Sequence, residues 1–301
     1  MKTFAAVRIC LLLIKRIESH PFETTACLLQ YLDEQGFTMS KRSFERLLAN
    51  IRDEFFISIR YDRNGGGYVV DFPEENDRET LIQLLDMLEQ AAIFSDAFKG
   101  DNSLLQHIDF SRNSRLRGFE WLEYAVYALK HHRKVTLEYH RFGSAAPETI
   151  ALKPLLLKHY QDRWYLVGFV DVKGGIRIYG LDRITAFTIE QESFKLPKDP
   201  GLKATFKNTI GINFSDNKPE RLLLRVDISQ AEYLRSLPLH DSQVEVRTEA
   251  DGNVVFEINV VINHECKQRL LMLGAAAEVL EPETVRHWVK EELINAIALY
   301  R

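Results

Sequence analysis

Residues 162–184 constrain the fold more tightly than any other stretch of the chain. They read Asp-Arg-Trp-Tyr-Leu-Val-Gly-Phe-Val, a turn over residues 171–175, then Ile-Arg-Ile-Tyr-Gly-Leu-Asp-Arg-Ile. Two β-branched and aromatic runs parted by Lys173-Gly174-Gly175 predict a β-hairpin. Period-two alternation puts Trp164, Leu166 and Gly168 on one face and Tyr165, Val167 and Phe169 on the other. In the second strand Arg177, Tyr179, Leu181 and Arg183 share a face. Guanidinium groups interleaved with Tyr and Leu on a core-grade strand are costly to bury unless an anion satisfies them.

Residues 135–139, 150–157 and 187–189 also read as strands, and residues 119–129 as a helix. That helix closes on Lys130-His131-His132-Arg133-Lys134, a cluster that the helix dipole explains without any ligand. Adjacent His131 and His132 cannot share a helix face and make a poor metal pair. The blocks Arg163-Trp164-Tyr165-Leu166-Val167-Gly168 and Leu181-Asp182-Arg183-Ile184, with Lys153-Pro154-Leu155-Leu156-Leu157 and residues 135–139 upstream, resemble the WYL domain. The resemblance implies an Sm/SH3-like β-barrel over residues 119–195. It further implies that the barrel senses a nucleic-acid or other anionic ligand inside a bacterial transcription factor.

The amino-terminal part begins with helical spacing over residues 4–18, with Val7, Leu11 and Ile14 on one stripe before His20-Pro21. Thr24 or Thr25 can cap a second helix that runs through Glu34 to Gly36. Ser40 can cap a third, to about residue 54. Short helices in this order suggest a helix-turn-helix. In the third, Phe44, Leu47, Leu48 and Ile51 are spaced to face a core. At about 100° per residue the opposite face carries Arg42, Arg46, Ala49, Asn50 and Asp53, with Lys41 and Ser43 in the first turn. A helix entering a major groove needs Arg and Asn near its start for bases and Lys or Ser for phosphates. A solvated charged face of an ordinary amphipathic helix has the same composition. Residues 57–70 then read as two alternating strands joined at residues 63–67, a wing with Arg60 and Arg63 placed for phosphates. The candidate DNA contacts are thus Ser40, Lys41, Arg42, Ser43, Arg46, Asn50, Arg60 and Arg63. The order of helices, basic helix and wing over residues 1–72 resembles the winged helix-turn-helix that usually precedes a WYL domain.

Residues 73–118 read as a helical linker, rich in Asp and Glu, with apolar Leu81, Leu84, Leu85, Leu88, Ala92 and Ile93. The acidic charge argues against DNA contact there. Its stripe fits a dimer seam or packing within the subunit. After a linker over 196–219, residues 220–301 predict strand, helix, a hairpin through Asp251-Gly252, and two more helices, the last with Val285, Trp288, Val289, Ala296 and Ile297 buried. This is a ferredoxin-like α+β pattern. Leu239-His240-Asp241-Ser242-Gln243, together with Gly274, Glu278-Val279-Leu280-Glu281-Pro282 and Arg286, resembles the WCX extension that accompanies WYL domains. The fold class expected is multidomain α+β.

Candidates for the barrel's ligand are its cationic and aromatic residues Tyr139, Lys153, Lys158, His159, Arg163, Arg177 and Arg183. Guanidinium forks suit phosphates, and Tyr or His rings stack on exposed bases. By resemblance, Arg177 and Arg183 match the outer arginines of the family's Arg-x-Phe-Arg-Leu-Asp-Arg-Ile run. Gly180 stands where the middle arginine would be. That departure implies weaker phosphate binding or a smaller ligand. Arg183 paired with Asp182 is the structural alternative.

At 301 residues the chain is long enough for two or three domains. A net charge of −4 confines any nucleic-acid site to a local patch. Cys10, Cys27 and Cys266 are odd in number and far apart, which fits reduced thiols in a cytoplasmic protein. Residues 4–17 are interrupted by Arg8 and closed by Lys15-Arg16, unlike a signal peptide, and are too short to span a bilayer. The sequence therefore favours a ligand-responsive transcription regulator, homodimeric on a double-stranded DNA operator, with no cofactor, metal or membrane partner. The competing reading is a nuclease or other hydrolase using the basic pocket. Such chemistry needs clustered carboxylates or His, and no motif supplies them.

Overall fold

The structure is a computed structural model that describes residues 2–72, 78–97, 117–196, 202–213 and 217–300. The predicted linker helix beyond residue 97 lies outside the described residues. The chain divides into two units, Met1–Ser111 and Arg112–Arg301.

In the first unit, helices α1 (Lys2–Ser19), α2 (Thr25–Glu34) and α3 (Lys41–Phe55) precede strands β1 (Ser58–Asp62) and β2 (Gly67–Asp71) and helix α4 (Arg78–Ala97). The side chains of Thr24 and Ser40 accept from the backbone N–H of Cys27 and Ser43, as their positions before the two helices require. Val7, Leu11 and Ile14 of α1, Leu28 and Leu32 of α2, and Phe44 and Ile51 of α3 close one core with Tyr68 of β2. Phe44 meets Tyr68 edge-on at 5.7 Å. The stripe of α4 divides: Leu81, Leu85 and Leu88 join this core, whereas Leu84, Met87 and Ile93 are exposed.

The strands pair antiparallel, Ser58 opposite Asp71 and Asp62 opposite Gly67. The chain between α1 and α2 extends this ribbon: Phe22 N–H donates to the Tyr68 carbonyl at 3.2 Å and Tyr68 N–H to the Glu23 carbonyl at 2.9 Å. A Cβ on Gly67 would collide with the backbone of Phe22. The glycine run thus serves close backbone packing at a turn.

The second unit opens with a 3₁₀ turn into α5 (Leu122–Lys130), then strands β3 (Arg133–Tyr139), β4 (Glu148–Tyr160), β5 (Arg163–Val170), β6 (Gly175–Gly180) and β7 (Ile184–Ser193). They form one antiparallel sheet in the order β6-β5-β4-β3-β7. The long β4 is shared. Its first half, to Leu152, pairs with β3, and from Lys153 on it pairs with β5, with an irregularity between Pro154 and Leu156. A bulge of this kind bends a strand and lets a sheet curl. Val135, Leu137, Ile150, Leu152, Leu166, Tyr179 and Phe187 fill the concave side, closed by Ala125 and Ala128 of α5. The Trp121 indole N–H ties α5 to the Ile184 carbonyl at 3.0 Å. On the other side, α6 (Leu202–Lys207) packs Leu202 and Phe206 against Val167, Leu156 and Ile178. A helix thus lies where the sequence predicts only a linker.

Beyond it run β8 (Glu220–Val226), α7 (Ile228–Ser236), β9 (Val244–Thr248), β10 (Val254–Val260), α8 (His264–Met272), β11 (Ala277–Glu281) and α9 (Glu283–Ala298). The sheet order is β11-β8-β10-β9. Leu222, Leu224 and Val226 meet Phe256, Ile258 and Val260 on the face covered by Ala231, Leu234, Cys266, Leu270 and Val285. β11 is a strand the sequence reading lacks. The predicted buried side of α9 is only half right: Val285 is buried and Val289 packs on the core, while Ala296 and Ile297 are exposed. Their end of the helix runs past the sheet's core cluster. Among the described residues no helix is long and apolar enough to cross a membrane. Burial pushes the Cys10 and Cys266 thiols up to about 12 and about 11, the state of inert structural cysteines.

Candidate functional site

Two groups of residues gather the candidates, one on the outer face of a helix and one bordering the core of the five-stranded sheet. The first is the outer face of α3. Phe44, Leu47, Leu48 and Ile51 turn inward, which leaves Lys41, Arg42, Arg46 and Asn50 exposed. Among the described residues none of these four has a hydrogen-bond or ion-pair partner, so their donors are unspent. Ser40 and Ser43 are engaged with each other, their hydroxyls 3.0 Å apart at the helix start. On the β1–β2 ribbon Arg60 forms an ion pair with Asp71, while Arg63, in the turn between the strands, is exposed without a partner among the described residues.

The second group lies at the end of β6 and the turn that follows. Tyr139 is buried, and its hydroxyl accepts from the Gly180 N–H at 3.3 Å. Tyr179 meets it edge-on at 4.9 Å. The Arg183 guanidinium stands over both the Tyr139 ring, at 5.2 Å, and the exposed Phe142 ring, at 4.8 Å. Asp182 has Arg163 at 3.6 Å and Arg183 at 3.9 Å, too far for hydrogen bonds. Two cations on one carboxylate leave a net positive charge. The Tyr179 hydroxyl, Asp182 Oδ1 and Arg183 Nε are all buried and all without a hydrogen-bond partner among the described residues. Native proteins seldom leave such atoms unmatched; Asp182 Oδ1 and Arg183 Nε lie 3.9 Å apart and mark a place where a polar group belongs, whereas the charges that act on the Tyr179 hydroxyl are those of Glu148, Arg141 and Arg177. Burial holds the Tyr139 and Tyr179 phenols above their ordinary pKa, so both stay protonated donors at neutral pH.

The remaining candidates are dispersed. Arg177 is exposed and donates to the backbone carbonyls of Ile176 at 2.7 Å and Lys173 at 3.3 Å. His159 lies against Trp164 with the ring centres 4.8 Å apart and the planes tilted by 49°. Lys153 pairs with Asp171 at 2.6 Å and borders an open recess of about 610 Å³ between β3, β4 and β7. Lys158 points to the other side of the sheet, its amine 4.6 Å over Phe206 of α6. Of the seven, the structure brings together Tyr139, Arg163 and Arg183.

The family model for the WYL domain matches residues 120–189, and the WCX domain model matches residues 218–297. This is a WYL-domain protein. The WYL match covers α5 and most of the five-stranded sheet, and the WCX match covers the sheet formed by β8 to β11. Among solved structures the chain is similar to proteasome accessory factor B/C of Arthrobacter aurescens, at 17% identity and a TM-score of 0.33. That likeness covers 95% of this chain and 46% of the other, so the chain spans less than half of its length. A CRISPR Cas-related protein is similar at 11% identity and a TM-score of 0.38, over 99% of this chain and 85% of the other. No curated protein matches the chain in sequence.

Within the WYL domain, the sequence did not mark Phe142 and Tyr179 as candidates and offered Asp182 only as a competitor for Arg183. The signal for Phe142 was an aromatic ring in a polar loop directly after Tyr139. Gly180 also gains a local reason. A Cβ there would collide with Asp182 Oδ1 and crowd the Arg183 guanidinium, so a larger residue would reshape the cluster.

Proposed function

We propose that this WYL-domain protein is a DNA-binding transcription regulator whose barrel senses a nucleic-acid fragment or similar anion. The reading rests on one observation above the others: Asp182 Oδ1 and Arg183 Nε are both buried and unmatched among the described residues, with the Arg183 guanidinium beneath the exposed Phe142 ring. Arg183 Nε supplies a donor for an anion, and the exposed Phe142 ring supplies a face for a base. Asp182 Oδ1 accepts from a base N–H or a ligand hydroxyl. On the amino-terminal unit, α3 presents Arg42, Arg46 and Asn50 to the major groove, Lys41 and Ser43 to phosphates, and Arg63 reaches phosphate from the wing. On a pseudo-palindromic operator this mode of binding would seat a homodimer, one α3 in each half-site. Regulation requires that the anion bind one arrangement of the protein better than another.

The test begins with operators selected from a random duplex library and a gel shift in the presence of Mg²⁺. A stable shift without cleavage, lost in the Arg42→Ala, Arg46→Ala double variant, supports the regulator. Cleavage that persists in highly purified protein supports a nuclease. Parent-like binding by the double variant overturns the assignment of α3.

A further inference from the structure

A second recess, of about 390 Å³, lies where the turn between β4 and β5 meets α8, and is lined by Tyr160, Gln161, Glu265, Gln268, Arg269, Leu271 and Met272. Its size is ordinary for a small-molecule site. Glu265 is 7% exposed, which is unusual for a carboxylate. One oxygen, Oε1, accepts from the backbone N–H of Ile212 and Asn213 at 3.3 and 3.2 Å and from the Asn213 side chain at 2.9 Å. The other, Oε2, is buried with no partner among the described residues. Arg269 stands one helical turn further along α8, the spacing at which Glu and Arg ordinarily pair. Here they do not pair, because the loop at residues 212–213 holds the Glu265 carboxylate. Glu265, with its buried unmatched oxygen, and Arg269, whose guanidinium has no partner among the described residues, therefore line one recess, with Leu271 and Met272 beside them.

We propose that this recess binds a small zwitterion of the α-amino acid class. Its ammonium group donates to Glu265 Oε2, its carboxylate is held by Arg269, and its side chain lies along Leu271 and Met272. A lone anion would leave the carboxylate unmatched, and a lone amine would leave the guanidinium so. The site is separate from the Tyr139–Arg183 cluster and does not depend on the function proposed for it. Because Tyr160 and Gln161 come from the WYL sheet and the rest from the WCX domain, an occupant would touch both.

Isothermal titration of the full chain with glycine, L-leucine, L-methionine and L-glutamine tests this, with acetate and ethylammonium as single-charge controls. At least one amino acid is expected to bind with a Kd at or below about 1 mM, and both controls at least about tenfold more weakly. Glu265→Gln keeps a carbonyl for the residue 212–213 loop but replaces the free acceptor with a donor. It and Arg269→Gln should each weaken binding by about tenfold or more, and Arg183→Ala should leave it unchanged. If Glu265→Gln fails to fold, Arg269→Gln decides alone. No binding up to about 10 mM, controls that bind equally well, or parent-like affinity in Arg269→Gln overturns the proposal.

Discussion

The Arg183 guanidinium stands 5.2 Å from the centre of the Tyr139 ring, yet its Nε has no hydrogen-bond partner among the described residues. A cation–π contact orients the group without consuming its N–H donors. Asp182, the obvious competitor, approaches no nearer than 3.9 Å. The guanidinium is therefore held in place while remaining able to fork onto a planar anion.

Lysine cannot reproduce that fork. Arg183→Lys keeps the charge and the ring contact, and should bind a labelled short single-stranded oligonucleotide about tenfold more weakly than the parent. Arg183→Ala should lose more, about a hundredfold. Fluorescence anisotropy at fixed salt checks both. Equal affinity for the parent and the Lys variant would reduce Arg183 to a point charge.

Gly67→Ala should destabilise the first unit by more than about 2 kcal/mol, because the added methyl meets the backbone of Phe22 rather than a movable side chain. Gly66→Ala has open space but a left-handed backbone, and should cost about 1 kcal/mol. Urea denaturation followed by circular dichroism ranks the two.

Those glycines show what the sequence could and could not reveal. As a run they predict a turn, and the turn is there, but the need for Gly67 comes from a segment more than forty residues earlier in the chain. Local signals were legible: Thr24 and Ser40 cap the helices they precede, and the inward residues of α3 follow its 3.6-residue period. Elements whose stability comes from partners were not. β7 extends through Glu190, Gln191, Glu192 and Ser193, a run without strand character, because Thr136 and Lys134 across the ladder bond Glu190 and Glu192 at 2.7 and 2.6 Å. β11 is short and acidic at both flanks, and forms by pairing with β8. The candidate site divides in the same way. Tyr139 and Arg183 carried type and spacing, while Tyr179 and Asp182 became informative only through atoms left unmatched in three dimensions.

The start of α3 allows capping and DNA contact to be separated. Ser40→Ala removes the oxygen that accepts from Ser43 N–H at 3.2 Å and should cost about 1 kcal/mol of stability. Arg46→Ala, on the exposed face, should change stability by less than about 0.5 kcal/mol. Operator affinity should order them oppositely, with Arg46→Ala losing about 1–3 kcal/mol and sequence preference with it. Thermal unfolding and a gel shift on both variants check the crossing. An Arg46→Ala protein that unfolds early would instead make Arg46 a structural residue.

Lys158 yields a prediction with a definite pH sign. Burial beneath α6 lowers the pKa of its amine from the ordinary value of 10.5. The cation–π contact with Phe206 stabilises the charged form, by about 0.5–1 kcal/mol or a little more, and does not cancel the desolvation. The folded chain thus holds this proton less tightly than the unfolded chain. Stability carries the full cost of charging below the folded pKa and recovers as pH rises from there towards 10.5. Lys158→Met keeps the unbranched stem against Phe206 and removes the ionisable group. The variant should be more stable than the parent at pH 7, with the difference shrinking as pH approaches 10.5. Urea midpoints for both proteins between neutral pH and that value supply the test, since other alkaline titrations are common to the pair and drop out of the difference. A gap that stays constant with pH would mean that the gain comes from packing alone, and a less stable variant would mean that the cation–π contact with Phe206 outweighs the desolvation.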